Sequence, residues 1–191
     1  MLLFIATMAL LSSSHAVLYA FGTIYWRSAG IGDRMIGVLW AEGVIAEIIL
    51  FALAAPVMRR IGPGSMMLIA AVCGVIRWTI LGATTDLTLL FVAQALHAGT
   101  FAAAHLGAMT FITEAAPTGM SATAQSLYAA LAMGAAIAIA IPLTGPIFAA
   151  IGGDAYYLMT ALSAAGGVLA WILMRRWDGR RIELPAAATS I

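Results

Sequence analysis

The sequence predicts an all-α membrane protein of six transmembrane helices, and three observations carry that prediction. Of its 191 residues 63% are hydrophobic and only 9% charged, with a mean hydropathy of +1.03, whereas soluble domains carry about 25% charged residues. Six apolar runs, each about 20 residues or longer, follow one another with short loops between them. The alternation of apolar and polar residues over about 10 positions that marks a membrane β-barrel is missing, while Ala, Leu, Gly and Met abound.

The first span, Leu2–Trp26, has no basic residue ahead of Arg27 to form the leading region of a signal peptide, so it reads as a retained helix. Because Leu2 is already apolar, the expectation is a fragment or half of a longer protein. The second span, Met35–Met58, carries Glu42 and Glu47. Gly62-Pro63-Gly64 turns tightly into the third, Ser65–Ala83, where Arg77 is the only charge between Met66 and Ala83. The single Cys73 has no partner for an internal disulfide and reads as packing. The fourth span, Leu87–Thr113, holds Gln94, His97 and His105 and ends before Pro117-Thr118-Gly119. The fifth, Ser121–Ile151, contains Pro142 and Pro146, each of which removes a backbone donor and is expected to kink or break the helix. Gly152-Gly153-Asp154 turns into the sixth, Ala155–Met174, where Gly166 and Gly167 allow close helix approach. Residues 1–176 thus form a bundle and 177–191 a tail.

Charge orients the bundle. Arg59, Arg60, Arg175, Arg176, Arg180 and Arg181 gather on one side, against Arg27 and Arg34 on the other, so the first side and both termini are expected in the cytoplasm. Tyr25, Trp26, Tyr156, Tyr157, Trp171 and Trp177 stand at span ends, as an aromatic belt would. A net charge of +1 offers nothing to nucleic acid.

The polar residues inside the spans are the functional signal. A charge at the bilayer centre costs about 2.5–3.5 kcal/mol or more and calls for a partner or a wet cavity. At about 1.5 Å of rise per residue, Arg77 and Glu47 both lie about 18 Å deep, His97 about 15 Å and His15 about 20 Å. Four polar groups on four helices therefore meet near the midplane, where secondary transporters hold substrate and coupling ions. The plainer reading is a static Glu47–Arg77 ion pair, which would stabilise only weakly. Glu42, about 140° round the helix from Glu47, would line an entry path or face water. Gln94 and His105 share a stripe of the fourth span, about 20° apart, and His105 would gate the inner mouth or bond another helix. Tyr19, Trp40 and Trp78 would supply aromatic walls. There is no HExxH, no phosphate-binding loop and no cofactor or metal motif, which argues against an enzyme.

These residues sit in recognisable surroundings. Ser14-His-Ala-Val-Leu-Tyr-Ala-Phe, Val44-Ile-Ala-Glu-Ile-Ile-Leu-Phe-Ala-Leu, Cys73-Gly-Val-Ile-Arg-Trp, Leu96-His-Ala-Gly-Thr-Phe and Ala132-Met-Gly-Ala-Ala-Ile-Ala-Ile follow in order along nearly the whole chain. Together they resemble the C-terminal six-helix half of a major facilitator superfamily transporter, in the branch of lactose permease and, more closely, the 3-phenylpropionate permeases. Arg59-Arg60-Ile-Gly is similar to a degenerate form of that superfamily's basic loop motif.

The resemblance implies one half of a twelve-helix fold in a bacterial inner membrane, its other half supplied by a missing N-terminal segment or a second copy. Arg77 and His97 match the arginine and histidine of the lactose permease coupling site. Thr100 stands where that permease keeps its proton-carrying glutamate, so the role passes to Glu47, which matches a glutamate of the phenylpropionate permeases. The implied function is proton-coupled symport of an aromatic carboxylate such as 3-phenylpropionate. Glu47 and His97 would couple the proton, and Arg77, His15, Trp78 and Tyr19 would bind the substrate, with His97 and His15 bridging Glu47 and Arg77. Sugar or nucleoside symport, and a split membrane half that does not transport, are the alternatives.

Overall fold

A computed structural model describes residues 1–183. Ten α-helices and their linking turns account for the described fold, with no strand among those residues. Helices α1 (Leu2–Ser13) and α2 (Ala16–Ser28) make the first span. They part at Ser14 and His15 for a local reason. The Leu11 carbonyl, which a continuous helix would give to the His15 N–H, accepts instead from Ser14 Oγ at 2.7 Å and His15 Nδ1 at 3.0 Å. The His15 N–H turns to the Ser12 carbonyl, a side-chain competition that loosens helices.

The second span joins α3 (Asp33–Ala52) to the short α4 (Ala54–Met58). Pro56 explains the joint, because its ring clashes with the carbonyl four residues back, that of Ala52. Helix α5 (Pro63–Ala83) is the third span, opened by an extended Gly62 and a proline at its first position. The fourth consists of α6 (Leu87–Ala95), a π-helical turn at Ala98–Ala102, and α7 (Ala103–Ala115). Asp86 caps α6 by accepting the Leu89 N–H. The fifth runs through α8 (Ser121–Leu127), a longer π-helical segment at Tyr128–Ala135, and α9 (Ala136–Ile151). Pro142 and Pro146 do not break α9. The irregularity lies upstream of them, at the π segment.

The stretch Ser121–Arg176 is 56 residues of apolar helix, about twice what one crossing needs. Gly152, with φ at 55°, and a 3₁₀ turn at Gly152–Asp154 divide it, so α10 (Ala155–Arg176) is a sixth crossing. The fold is therefore an all-α bundle of six transmembrane helices.

The third and sixth spans lie antiparallel along their length. Gly64 abuts Met174 at one end and Gly82 abuts Tyr157 at the other. Midway, a Cβ on Gly74 would stand 2.5 Å from Ser163 Oγ. Gly74→Val is thus expected to force the two helices apart at a cost of about 1–3 kcal/mol, read as a lower thermal-unfolding midpoint in detergent.

Two apolar clusters stack within the bundle. Phe4, Met8, Met67, Phe111 and Tyr128 centre one on the Arg59 side; Trp26, Leu39, Trp78, Leu90 and Tyr156 centre the other. The buried polar residues His15, Arg77, Gln94 and Thr100 fall between them. Of the tail expected at 177–191, the part at 184–191 lies outside the described residues. The described part folds back on α7. The Ile182 N–H reaches the Ala115 carbonyl and Arg181 Nη1 reaches Ala116, both at 2.8 Å, occupying carbonyls that a helix end leaves unpaired.

Candidate functional site

Arg77 projects from the middle of α5 and is 1% exposed. Its guanidinium makes three side-chain hydrogen bonds to one helix. Nη1 donates to His97 Nδ1 at 3.0 Å and to Thr100 Oγ1 at 2.9 Å, and Nη2 donates to Gln94 Oε1 at 2.9 Å. Residues 94, 97 and 100 lie three apart on the fourth span and so share a face. Gln94 passes the connection onward, its Nε2 donating to the Leu39 carbonyl of the second span at 2.9 Å. Beneath the guanidinium lies the Trp78 ring, 4.7 Å from the Arg77 Cζ, close enough for a cation–π contact.

Arginine has only donors, so His97 Nδ1 must accept and the imidazole proton sits on Nε2. That nitrogen stands 3.2 Å from Glu47 Oε2, which receives it. The result is a directed chain from guanidinium through imidazole to carboxylate. Glu47 and Arg77 form no direct pair, and His97 is the bridge. His97 and Glu47 keep 12% and 20% of their side chains exposed, so the carboxylate end is the more open and the arginine end the more deeply buried.

His15 does not join that chain. Its Nδ1 donates to the Leu11 carbonyl, which leaves Nε2 an acceptor, buried and without a partner among the described residues. Its ring is 6.2 Å from that of His97 and edge-on to Trp78 at 5.0 Å. The bridging role expected of His15 is therefore not made, because the broken turn of the first span engages the ring's other nitrogen. Trp78 is likewise no cavity wall. It is fully buried, and its indole N–H is shared between Ser163 Oγ at 2.9 Å and Ser14 Oγ at 3.2 Å. It carries Arg77 from below.

Two cavities of about 220 Å³ each flank this chain. One is lined by Arg77, Gln94, His97, Trp40 and Gly43; the other, largely apolar, runs from Thr100 and His15 to His105 and Tyr128. Tyr19 lines both. Trp40 is held by Thr23, whose Oγ1 accepts from Nε1 at 3.1 Å. His105 lies 3.3 Å from the Tyr128 hydroxyl of the fifth span and stacks on Phe101. Glu42 stands apart, with a buried Oε2 that has no partner among the described residues.

Sequence reasoning picked out Arg77, Glu47 and His97 by their charge or titratability. It missed Thr100 as a ligand of Arg77 and Tyr128 as the partner of His105, because neither residue type is unusual in an apolar helix. The i, i+3, i+6 spacing of Gln94, His97 and Thr100 was the available signal. Gln94→Leu is expected to leave an Arg77 donor unpaired and to remove the side-chain bond to the Leu39 carbonyl, lowering stability by about 1–3 kcal/mol, measurable by thermal unfolding with and without ligand.

Residues 1–159 match the family described as "MFS_1 like family". The chain is 43% identical over 161 residues to the "Probable 3-phenylpropionic acid transporter" of Escherichia coli (strain K12). That match covers 84% of this chain and 42% of the relative, so the chain spans less than half the relative's length. No solved structure matches the chain. The family is one of membrane transporters and not of enzymes, and with most of its length matched the chain belongs to it, as a member of the MFS_1-like family of the major facilitator superfamily.

Proposed function

We propose that this chain is the C-terminal six-helix half of a proton-coupled symporter for an aromatic carboxylate such as 3-phenylpropionate. It works in a bacterial inner membrane with both termini cytoplasmic, against an N-terminal six-helix half. The observation that carries the reading is the Arg77–His97–Glu47 chain beside a cavity that Arg77 lines.

Electroneutrality supplies the coupling. Arg77 and Glu47 together have zero net charge in a buried setting. A carboxylate brought to Arg77 adds one uncompensated negative charge, which a low-dielectric site tolerates poorly. Protonation of Glu47 restores the balance, so one proton accompanies one carboxylate. The substrate oxygen competes with His97 Nδ1 for the Arg77 Nη1 donor. Once Nη1 turns to the substrate, the chain that oriented His97 Nε2–H toward Glu47 is released. Substrate and proton then cross together as the two halves rock about the midplane.

The likeness to a relative that bears the name of 3-phenylpropionic acid supports the substrate class. The test is uptake of labelled 3-phenylpropionate by vesicles containing the full-length protein, with proton influx followed at the same time. One proton per acid, abolished by collapsing the proton gradient, is the expected result. Uptake that ignores the gradient would remove the coupling, and a labelled sugar carried without competition from aromatic acids would move the substrate class to sugars.

A further inference from the structure

We infer that the apolar cavity between the first, fourth and fifth spans is the aryl pocket of the transported acid, with the ring seated against Phe101, Ala104 and Met133 and the carboxylate across Tyr19 at Arg77. This inference rests on the transport reading above and adds where the ring goes and which residues set its size.

Four observations converge on the cavity. Its volume is about 220 Å³, and an apolar cavity of about 150 Å³ suffices for benzene. Its walls are Met8, Leu11, Phe101, Ala104, Met133 and Ile137 over most of their area, a lining suited to a ring and unsuited to an ion. Each of the three spans that enclose it departs from regular helix at its level. The first breaks at Ser14 and His15, the fourth has its π turn at Ala98–Ala102, and the fifth its π segment at Tyr128–Ala135. Single π turns inside α-helices concentrate at functional sites, and here both contribute side chains to one cavity: Phe101 from one and Met133 from the other. Finally, the cavity adjoins the Arg77 cavity through the shared Tyr19.

The polar atoms set the orientation. His15 is 4% exposed and lines the apolar cavity, and its unpaired Nε2 is an acceptor. The one N–H of the neutral His15 ring is held by the Leu11 carbonyl, so this wall offers a carboxylate no donor. Across Tyr19, Arg77 presents the only buried cation among the described residues. An arylalkanoate is therefore seated with its ring in the apolar cavity, its two-carbon linker beside Tyr19 and its carboxylate at Arg77.

The pocket's size is testable by changing it in both directions in the full-length protein. Met133→Ala should enlarge it and Ala104→Leu should fill it. The readout is inhibition of 3-phenylpropionate uptake by 3-(2-naphthyl)propionate, and separately by octanoate. The expected result is that Met133→Ala raises the preference for naphthyl over phenyl at least 5-fold and Ala104→Leu lowers affinity for phenylpropionate at least 5-fold, with octanoate changed less than either. Should Ala104→Leu fail to fold, Met133→Ala decides alone, since it only removes volume from a half-buried side chain. A naphthyl preference changed less than 5-fold, with phenylpropionate still carried, overturns the pocket and leaves the transport reading standing. An equal change for octanoate reassigns the cavity to an acyl chain and overturns it too. Failure of the unaltered protein to carry any aromatic acid removes both.

Discussion

Arg77→Gln is expected to reduce substrate accumulation at least about 100-fold while the protein still reaches the membrane. The substitution leaves three acceptors, His97 Nδ1, Thr100 Oγ1 and Gln94 Oε1, without the donor that now holds them at 2.9–3.0 Å. It also strips Glu47 of the positive charge that compensates it through His97. Removing one partner of a buried charged network costs about 3–5 kcal/mol, and each 1.4 kcal/mol is a tenfold change in an equilibrium. Loss of binding and loss of fold are separated by a second variant. In Arg77→Gln/Glu47→Gln the site is again neutral, so thermal stability should recover most of what the single change lost while accumulation stays absent. A single variant that accumulates substrate at the unaltered rate would remove Arg77 from the site.

Glu47→Gln has the second largest expected effect, and of a different kind. The amide oxygen can still accept from His97 Nε2–H, 3.2 Å away in the native arrangement, so geometry is retained while the titratable group is gone. Uphill accumulation should fall to the equilibrium level at every pH, and the pH dependence of uptake should flatten. Exchange of labelled for unlabelled substrate across the membrane needs no net proton movement and should persist. Because Arg77 is then uncompensated, affinity for a carboxylate should rise several-fold. Counterflow and proton-driven uptake measured on the same vesicles make the comparison. If exchange and accumulation fall together, Glu47 serves the fold or the binding step, and the proton passes elsewhere.

The two predictions differ because the chain is asymmetric. Arg77 is buried and its Nη1 and Nη2 hold three partners on the fourth span, so its removal is felt as unpaired partners. Glu47 keeps 20% of its side chain exposed, so it can be reached from outside the described bundle.

Much of the fold was legible in the sequence. The six spans appear as apolar runs, and the turns at Gly62-Pro63, Pro117 and Gly152 as breaks in them. Helix boundaries shift by no more than two residues, as at the fourth span, which continues to Ala115 until Pro117 forces Ala116 into extended backbone. The joint after Ala52 follows from Pro56 and was readable in principle. The interruption at His15 was not, since it depends on two side chains choosing one carbonyl. The prolines of the fifth span misled in the opposite direction. They sit in α9 without interrupting it, and the π segment lies in a sequence of Ala, Leu, Met and Gly that carries no local warning.

By itself the sequence determined that this chain crosses a membrane six times and keeps a guanidinium, a carboxylate and imidazoles at a common depth. Both follow from quantities counted along the chain: the hydrophobic length needed to span a bilayer, and the cost of a charge within it. Which groups touch was decided by the tertiary structure alone. Depth is one coordinate, whereas a hydrogen bond needs three, and the missing two are the rotation of each helix about its axis and its distance from its neighbours. Those were set by the close contact at Gly74, the phase added by the π turn at Ala98–Ala102 and the break at His15. They ran the chain through His97 with no direct Glu47–Arg77 pair, left His15 out of it, set Trp78 against Arg77 and brought in Thr100.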